Sequence, residues 1–259
     1  MDSNIFVCNS SDYNDKIIFL NKSQTSWIKI SCIPEELKNH AKLNFDNMFS
    51  LHSQNKGEVI MHNNVVKSDR WHKSYLNTPK FDENKKRSYM FSGKNELNEN
   101  NEELPNEFKI YYDFINQNNQ FNQVVANWYE NNNDYIAMHS DFEYDADDLK
   151  NKFEILNGEL LPIRSDISIL TFNLYDNIFN GDENVNVDVD DDNFYCRKFT
   201  IKPKKNCIDY LYKNFSITLE HGYIISMCGE TQKYFRHGIK KNNLYKETPR
   251  ISLSFRNFN

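Results

Sequence analysis

Cysteine is scarce and unpatterned in this 259-residue chain: Cys8, Cys32, Cys196, Cys207 and Cys228 are odd in number, far apart and without a C-x-x-C pair. That excludes a disulfide framework or a cysteine-built zinc site as the organising device and points to reduced thiols. Long apolar runs are missing as well. No stretch approaches the ~18 apolar residues of a membrane span, and the start, Met1-Asp2-Ser3-Asn4, has no basic segment leading into an apolar one. The expectation is a soluble intracellular protein, cytoplasmic or nuclear, with no membrane partner. A basic excess is lacking too, since 31 Lys and Arg stand against 37 Asp and Glu for a formal net charge of -6. This argues against holding nucleic acid by bulk electrostatics alone, while leaving room for a local basic groove. No internal repeat is evident.

What is present suffices for a sizeable core, with 39% hydrophobic residues in one large domain or one domain with an N-terminal extension. The apolar runs Ile17 to Leu20 and Trp27 to Ile30 read as strands. Pro34-Glu35-Glu36-Leu37 opens a helix running to about Leu51, with proline in its first turn and acids near its start. Residues 52–88 read as basic and polar loop with a strand at Glu58 to His62, and Asn106 to Gln117 has helical spacing. From Phe121 onward the pattern changes to short strands: Val124 to Tyr129, Tyr135 to His139, Ile167 to Leu174, Asn193 to Ile201, Ser216 to Ser226, Gln232 to Gly238 and Arg250 to Phe255. That series suits a jelly-roll. Between strands, Glu143 to Asn157 reads as a polar insertion with room for a short helix. The acidic insertion Gly181 to Asp192 starts like a calcium loop, but Asn193 stands at the glycine position and Phe199 at the bidentate glutamate position. A solvated loop is the better reading.

The chemistry gathers in two distant pieces. Met138-His139-Ser140-Asp141 places an imidazole and a carboxylate two residues apart, on one face if the strand continues. An ordinary turn histidine with Asp141 as a cap gives the same tripeptide. His237, at the end of Gln232 to Gly238, supplies a second imidazole, and His221 is its one serious competitor. Two histidines and one carboxylate hold one face of a ferrous ion and leave the other face open. In Arg250-Ile251-Ser252-Leu253-Ser254-Phe255-Arg256 the alternate residues form a polar stripe with an arginine at each end. A guanidinium fork matches a carboxylate, although an edge strand with its charged face in water has the same pattern.

At these residues the sequence resembles the AlkB-type 2-oxoglutarate/Fe(II)-dependent dioxygenases, a nucleic-acid demethylase family. Phe121 to Tyr129 resembles the family's F-N-x-x-L-x-N-x-Y strand, and Met138 to Asp141 its H-x-D turn. Gly229 to His237 resembles its G-x-T-Q-x-x-x-x-H segment, and Arg250 to Arg256 its R-x-N-x-T-x-R strand, with serine at 252 in place of asparagine and serine at 254 in place of threonine. The resemblance implies an α+β, mainly β fold: a double-stranded β-helix over residues 87–259, preceded by an extension over 1–86 with helix and part of a nucleotide-recognition lid, together one compact unit. It implies that His139, Asp141 and His237 bind iron, with 2-oxoglutarate and O2 as co-substrates. Arg250 and Tyr129 would hold the distal carboxylate, Asn127 and Arg256 would lie near the keto-acid end, and Ser252 would line the same pocket. Ser88 to Gly93 resembles a lid segment, which assigns Tyr89 and Phe91 to the substrate base, with Glu143 as a further substrate contact. The implied activity is oxidative demethylation of N-methylated nucleobases in DNA or RNA, releasing formaldehyde, succinate and CO2. Two other classes remain: an oxygenase acting on a protein or small molecule, and a catalytically silent nucleic-acid-binding relative.

Overall fold

The structure, a computed structural model, describes residues 4–6, 15–61, 64–76, 89–91, 94–96, 103–117, 121–131, 133–141, 153–156, 159–162, 165–173, 197–241 and 249–256. The N-terminal part contributes β1 (Asn4–Phe6), β2 (Lys16–Phe19), β3 (Ser26–Cys32), α1 (Glu35–Leu43), α2 (Phe45–Phe49), β4 (Glu58–Met61), β5 (Asn64–Lys67) and β6 (Trp71–Leu76). Next come β7 (Tyr89–Phe91), β8 (Lys94–Glu96), α3 (Asn106–Ile115), β9 (Gln123–Tyr129), β10 (Ile136–His139), β11 (Phe153–Leu156), β12 (Glu159–Pro162) and β13 (Ser165–Asn173). The chain closes with β14 (Lys198–Pro203), β15 (Phe215–Thr218), β16 (Tyr223–Gly229), α4 (Thr231–Tyr234), β17 (Phe235–Ile239) and β18 (Arg250–Arg256).

Two sheets carry the fold. One has the order β2-β3-β16-β13-β18-β9-β6 and the other β1-β15-β14-β17-β10, while β4-β5, β7-β8 and β11-β12 form separate hairpins. Leaving aside the β11-β12 hairpin, successive strands from β9 onward alternate between the two large sheets, apart from β14 and β15, which stay together. That alternation interleaves β9-β18-β13-β16 with β10-β17-β14-β15 and gives the antiparallel jelly-roll arrangement. Strands on both sides of the 77–88 stretch share the larger sheet, because β6 pairs with β9 and β3 with β16.

Side-chain alternation divides the larger sheet into two working faces. Val124, Ala126 and Trp128 of β9 and Ile251, Leu253 and Phe255 of β18 pack outward on Ala41, Phe45, Met48, Phe108, Tyr111 and Tyr112 from α1, α2 and α3. The opposite face of β2, β3 and β16 packs against Phe199, Ile201, Phe215, Ile217, Phe235 and Ile239 of the smaller sheet. Helices therefore cover one side of the larger sheet and the smaller sheet covers the other. The intervening interior is apolar beside β2 and β3 and becomes polar beside β18 and β9, which is where a site can form.

Several sequence expectations change in detail. The helix from Pro34 to Leu51 is two helices, broken at Asn44, whose side-chain amide donates to the His40 carbonyl at 2.9 Å. The run from Ser216 to Ser226 is two strands, separated by a turn in which Gly222 has φ 80°. Gln232 to Gly238 is not one strand: α4 occupies Thr231–Tyr234 and the extended chain starts at Phe235. Residues 71–76, expected as loop, form the edge strand β6. Residues 153–156, placed in an insertion with room for a helix, form β11. The acidic stretch 181–192 lies outside the described residues. Cys32, Cys207 and Cys228 are free thiols, and among the described residues no helix is long and apolar enough to cross a membrane.

Candidate metal centre

Antiparallel pairing of β10 with β17 puts His139 directly across from His237. Their rings lie 4.4 Å apart, centroid to centroid. Asp141, two residues past His139, reaches back so that its Oδ1 is 3.6 Å from His139 Nε2 and its Oδ2 is 3.3 Å from His237 Nε2. One nitrogen or oxygen from each of the three residues falls within 4.8 Å of the others, so the three can hold a metal ion. His221, the sequence competitor, is buried elsewhere, with its ring nitrogens on the carbonyls of Asn173 and Lys38.

Local contacts fix each of the three side chains. His139 Nδ1 donates to the Ala137 carbonyl at 2.9 Å, which leaves Nε2 as the lone-pair nitrogen facing Asp141. The Asp141 backbone N–H donates to Gln232 Oε1 at 3.0 Å, and Ser140 Oγ donates to the Phe235 carbonyl at 2.9 Å. The turn after β10 is thereby tied to α4 and β17. Gln232 can do this because it sits on the helical turn rather than in a strand. His237 stacks on Phe199 at 5.4 Å. Gly238 lets β10 and β17 close, since a Cβ there would meet the Ile136 carbonyl oxygen at 2.7 Å.

Electrostatics suit a cation. Burial by itself would raise the Asp141 pKa, but the Arg256 guanidinium beside it favours the anion, and the carboxyl is held well below its usual range. Arg256 donates to Asp141 Oδ1 at 3.2 Å. Burial, and then the neighbouring His139, push His237 down to about 3, so its ring is neutral near pH 7 and can ligate. Asp141 Oδ2 is buried and accepts no hydrogen bond among the described residues. Two imidazoles, one carboxylate and an uncommitted carboxylate oxygen fit a divalent transition metal such as Fe(II). His139 is the open side, with 39% of its side chain exposed against 6% and 8% for His237 and Asp141.

The polar stripe of β18 faces the interior and is buried. Arg250, Ser252 and Ser254 are each at most 5% exposed, which excludes the solvated edge-strand reading. Pairing with β9 aligns Arg250 with Tyr129, Ser252 with Asn127 and Arg256 with Gln123. The Arg250 guanidinium lies over the Tyr129 ring at 3.8 Å. The Tyr129 hydroxyl is buried with no hydrogen-bond partner among the described residues, and it fits an incoming carboxylate. Asn127 is also buried, and its Oδ1 accepts from Arg70 Nε at 2.8 Å. Tyr89 and Phe91 fall on β7, but their side chains lie outside the described residues, as does Glu143.

Two arginines at this site were missed from sequence. Arg197 is buried just before β14 and donates to the carbonyls of Asp134 and Lys240. Burial, and then the charge of Arg250, pull it down to about 10, which places the two guanidinium groups in each other's field. Its signal was present: in the expected strand from Asn193 to Ile201, Arg197 shares a face with the apolar Phe199 and Ile201. Arg70 had no such signal, because the strand that follows it was read as loop.

No family model and no curated protein matches this chain. Among solved structures, it is similar to a 2OG-Fe(II) oxygenase family oxidoreductase from Burkholderia pseudomallei, 11% identical over 100% of this chain and 98% of that one, with a TM-score of 0.42. It is also similar to OsALKBH1, 13% identical over 94% of this chain and 100% of that one, with a TM-score of 0.44.

Proposed function

We propose that this protein is an Fe(II)- and 2-oxoglutarate-dependent dioxygenase that demethylates N-methylated nucleobases in DNA or RNA. The observation that carries the oxygenase reading is the convergence of His139, Asp141 and His237 at one end of an interior polar stripe whose other end is the buried Arg250 over the Tyr129 ring. The sequence motifs carry the nucleobase reading. Bound together, metal, 2-oxoglutarate and O2 supply the oxidation of an N-methyl group, which leaves as formaldehyde while the co-substrate leaves as succinate and CO2.

The residues' own work follows from their positions. His139, Asp141 and His237 would hold the metal, with Arg256 keeping Asp141 anionic and Gln232 fixing its backbone. Arg250 and the Tyr129 hydroxyl would bind the distal carboxylate by a charge-assisted fork and a hydrogen bond. Asn127, Ser252 and Arg256 would line the stretch between that carboxylate and the metal. Alignment along the paired strands β9 and β18 would orient the co-substrate before reaction. Tyr89 and Phe91 would stack on an extruded base, and Glu143 would favour a cationic methylated ring such as 1-methyladenine or 3-methylcytosine.

Incubation with iron, ascorbate, 2-oxoglutarate and methylated oligonucleotides, read by mass spectrometry, tests this reading. Loss of 14 mass units from the oligonucleotide, roughly one CH2, is expected alongside succinate, and Asp141→Ala should abolish both together with metal binding. Succinate production without loss of any methyl group would overturn the nucleobase substrate. Wild-type turnover by Asp141→Ala would overturn the metal assignment.

A further inference from the structure

Asn127 occupies the middle of the interior stripe, paired across the sheet with Ser252 on one side and His72 on the other. Its side chain is chemically two-ended: one end only accepts hydrogen bonds, and the other only donates. A carboxylate arriving beside it is attracted by the amide nitrogen and repelled by the amide oxygen. Which end faces inward therefore decides whether this residue helps or hinders. A free amide can turn over by rotation about its last bond, so something must set it.

Arg70 sets it. A guanidinium has only donors, so the Asn127 atom 2.8 Å from Arg70 Nε is the carbonyl oxygen, and the nitrogen is directed away from Arg70. Arg70 is in turn held by its own turn. Ser68 Oγ donates to the Arg70 carbonyl at 2.6 Å, and the Ser68 N–H donates to the Gly57 carbonyl at 3.0 Å. The turn leads directly into β6, whose register against β9 is set over six residue pairs from Trp71 to Leu76. The N-terminal segment thus reaches into the site at one defined atom, from a position before residue 87 and outside every motif that carries the family resemblance.

We propose that Arg70 is a positioning residue of the co-substrate pocket: it locks the Asn127 amide so that the nitrogen donates to the keto-acid end of 2-oxoglutarate. This rests on the function proposed above. Arg70 does not itself touch the co-substrate. Its removal frees the amide to present its oxygen, and the pocket loses a donor that it still contains.

Equilibrium binding of 2-oxoglutarate to Mn(II)-loaded protein, measured by calorimetry without oxygen chemistry, tests the inference. Arg70→Ala should weaken binding by about tenfold, the order expected for one hydrogen bond to a charged group. Asn127→Ala should weaken it similarly, and the double variant should be no weaker than Asn127→Ala alone, since Arg70 acts only through that amide. Asn127→Asp keeps an acceptor for Arg70 and so should melt like wild type, yet it supplies no donor and should bind the co-substrate poorly. Should Arg70→Ala fail to fold, Arg70→Lys serves in the same cycle, with partial weakening expected. Wild-type affinity in the Arg70 variants, or losses that add in the double variant, would overturn the role of Arg70 alone. Wild-type protein that binds Mn(II) but no 2-oxoglutarate would overturn the proposed function, and this inference with it.

Discussion

At the scale of single residues the site depends on shape as much as on charge. Arg250 lies over Tyr129, its guanidinium carbon 3.8 Å from the ring centroid, and a guanidinium is planar and offers a fork matched to a carboxylate. Lysine at this position keeps the charge and loses both the plane and the fork. Arg250→Lys should therefore raise the 2-oxoglutarate dissociation constant at least tenfold, about 1.4 kcal/mol, while Mn(II) affinity stays at the wild-type value. An unchanged dissociation constant in calorimetry would remove Arg250 from the pocket. Arg197 sharpens the expectation, because its field already disfavours an uncompensated cation at Arg250. An incoming dicarboxylate relieves that repulsion, so Arg197→Met should also weaken 2-oxoglutarate binding, though less than Arg250→Lys.

Elements bring these residues together through close approaches that only certain side chains permit. The His139 and His237 pair exists because β10 and β17 close around Gly238, where a Cβ would sit 2.7 Å from the Ile136 carbonyl oxygen and 3.1 Å from the Ala137 backbone. Gly238→Ala must push β10 away, and His139 travels with it. Metal affinity should fall at least tenfold, a cost of about 1.4 kcal/mol or more, with the fold retained. Gly229 makes the contrasting case: its φ of 58° and an added Cβ 2.2 Å from the Thr25 carbonyl oxygen make alanine there a folding defect. Mn(II) titration and thermal melting separate the two outcomes, and a Gly238→Ala variant with full metal affinity would show that β10 can shift without moving His139. Sequence alone made Gly238 look like a strand terminus, whereas β17 continues through it to Ile239, because period-two alternation reports which face a residue occupies and not how near the next strand runs.

For the whole molecule, what could be read in advance tracks how local the determining physics is. Strands β9, β13 and β18 were legible to within two residues, since each alternates or forms a buried run over seven or more residues. The triad was legible because its two pieces each carry a local pattern. The edge strand β6 was not, because Trp-His-Lys-Ser-Tyr-Leu alternates weakly and owes its extended form to pairing with β9, 47 or more residues ahead in the chain. Nor was the split of α1 from α2, which depends on one amide turning back on a carbonyl. That same hidden strand gives the protein a pH response. His72 on β6 is held down to about 4, by burial first and by the charge of Arg70 second. Above a pH of about 6.5, both folded and unfolded chains carry this ring neutral, and it contributes no pH dependence. As the pH falls from there toward 4, the unfolded chain takes up a proton that the folded chain refuses, so stability drops by up to about 1.4 kcal/mol per pH unit. The full loss from this one residue is on the order of 3 kcal/mol by pH 4. Urea unfolding of metal-free protein should show it as a difference: His72→Gln removes the titrating ring, so its stability should fall less steeply than wild type across this window. Parallel pH profiles for the two proteins would show that His72 is protonated as readily in the folded chain as in the unfolded one, and that the interior beside Asn127 is open to water.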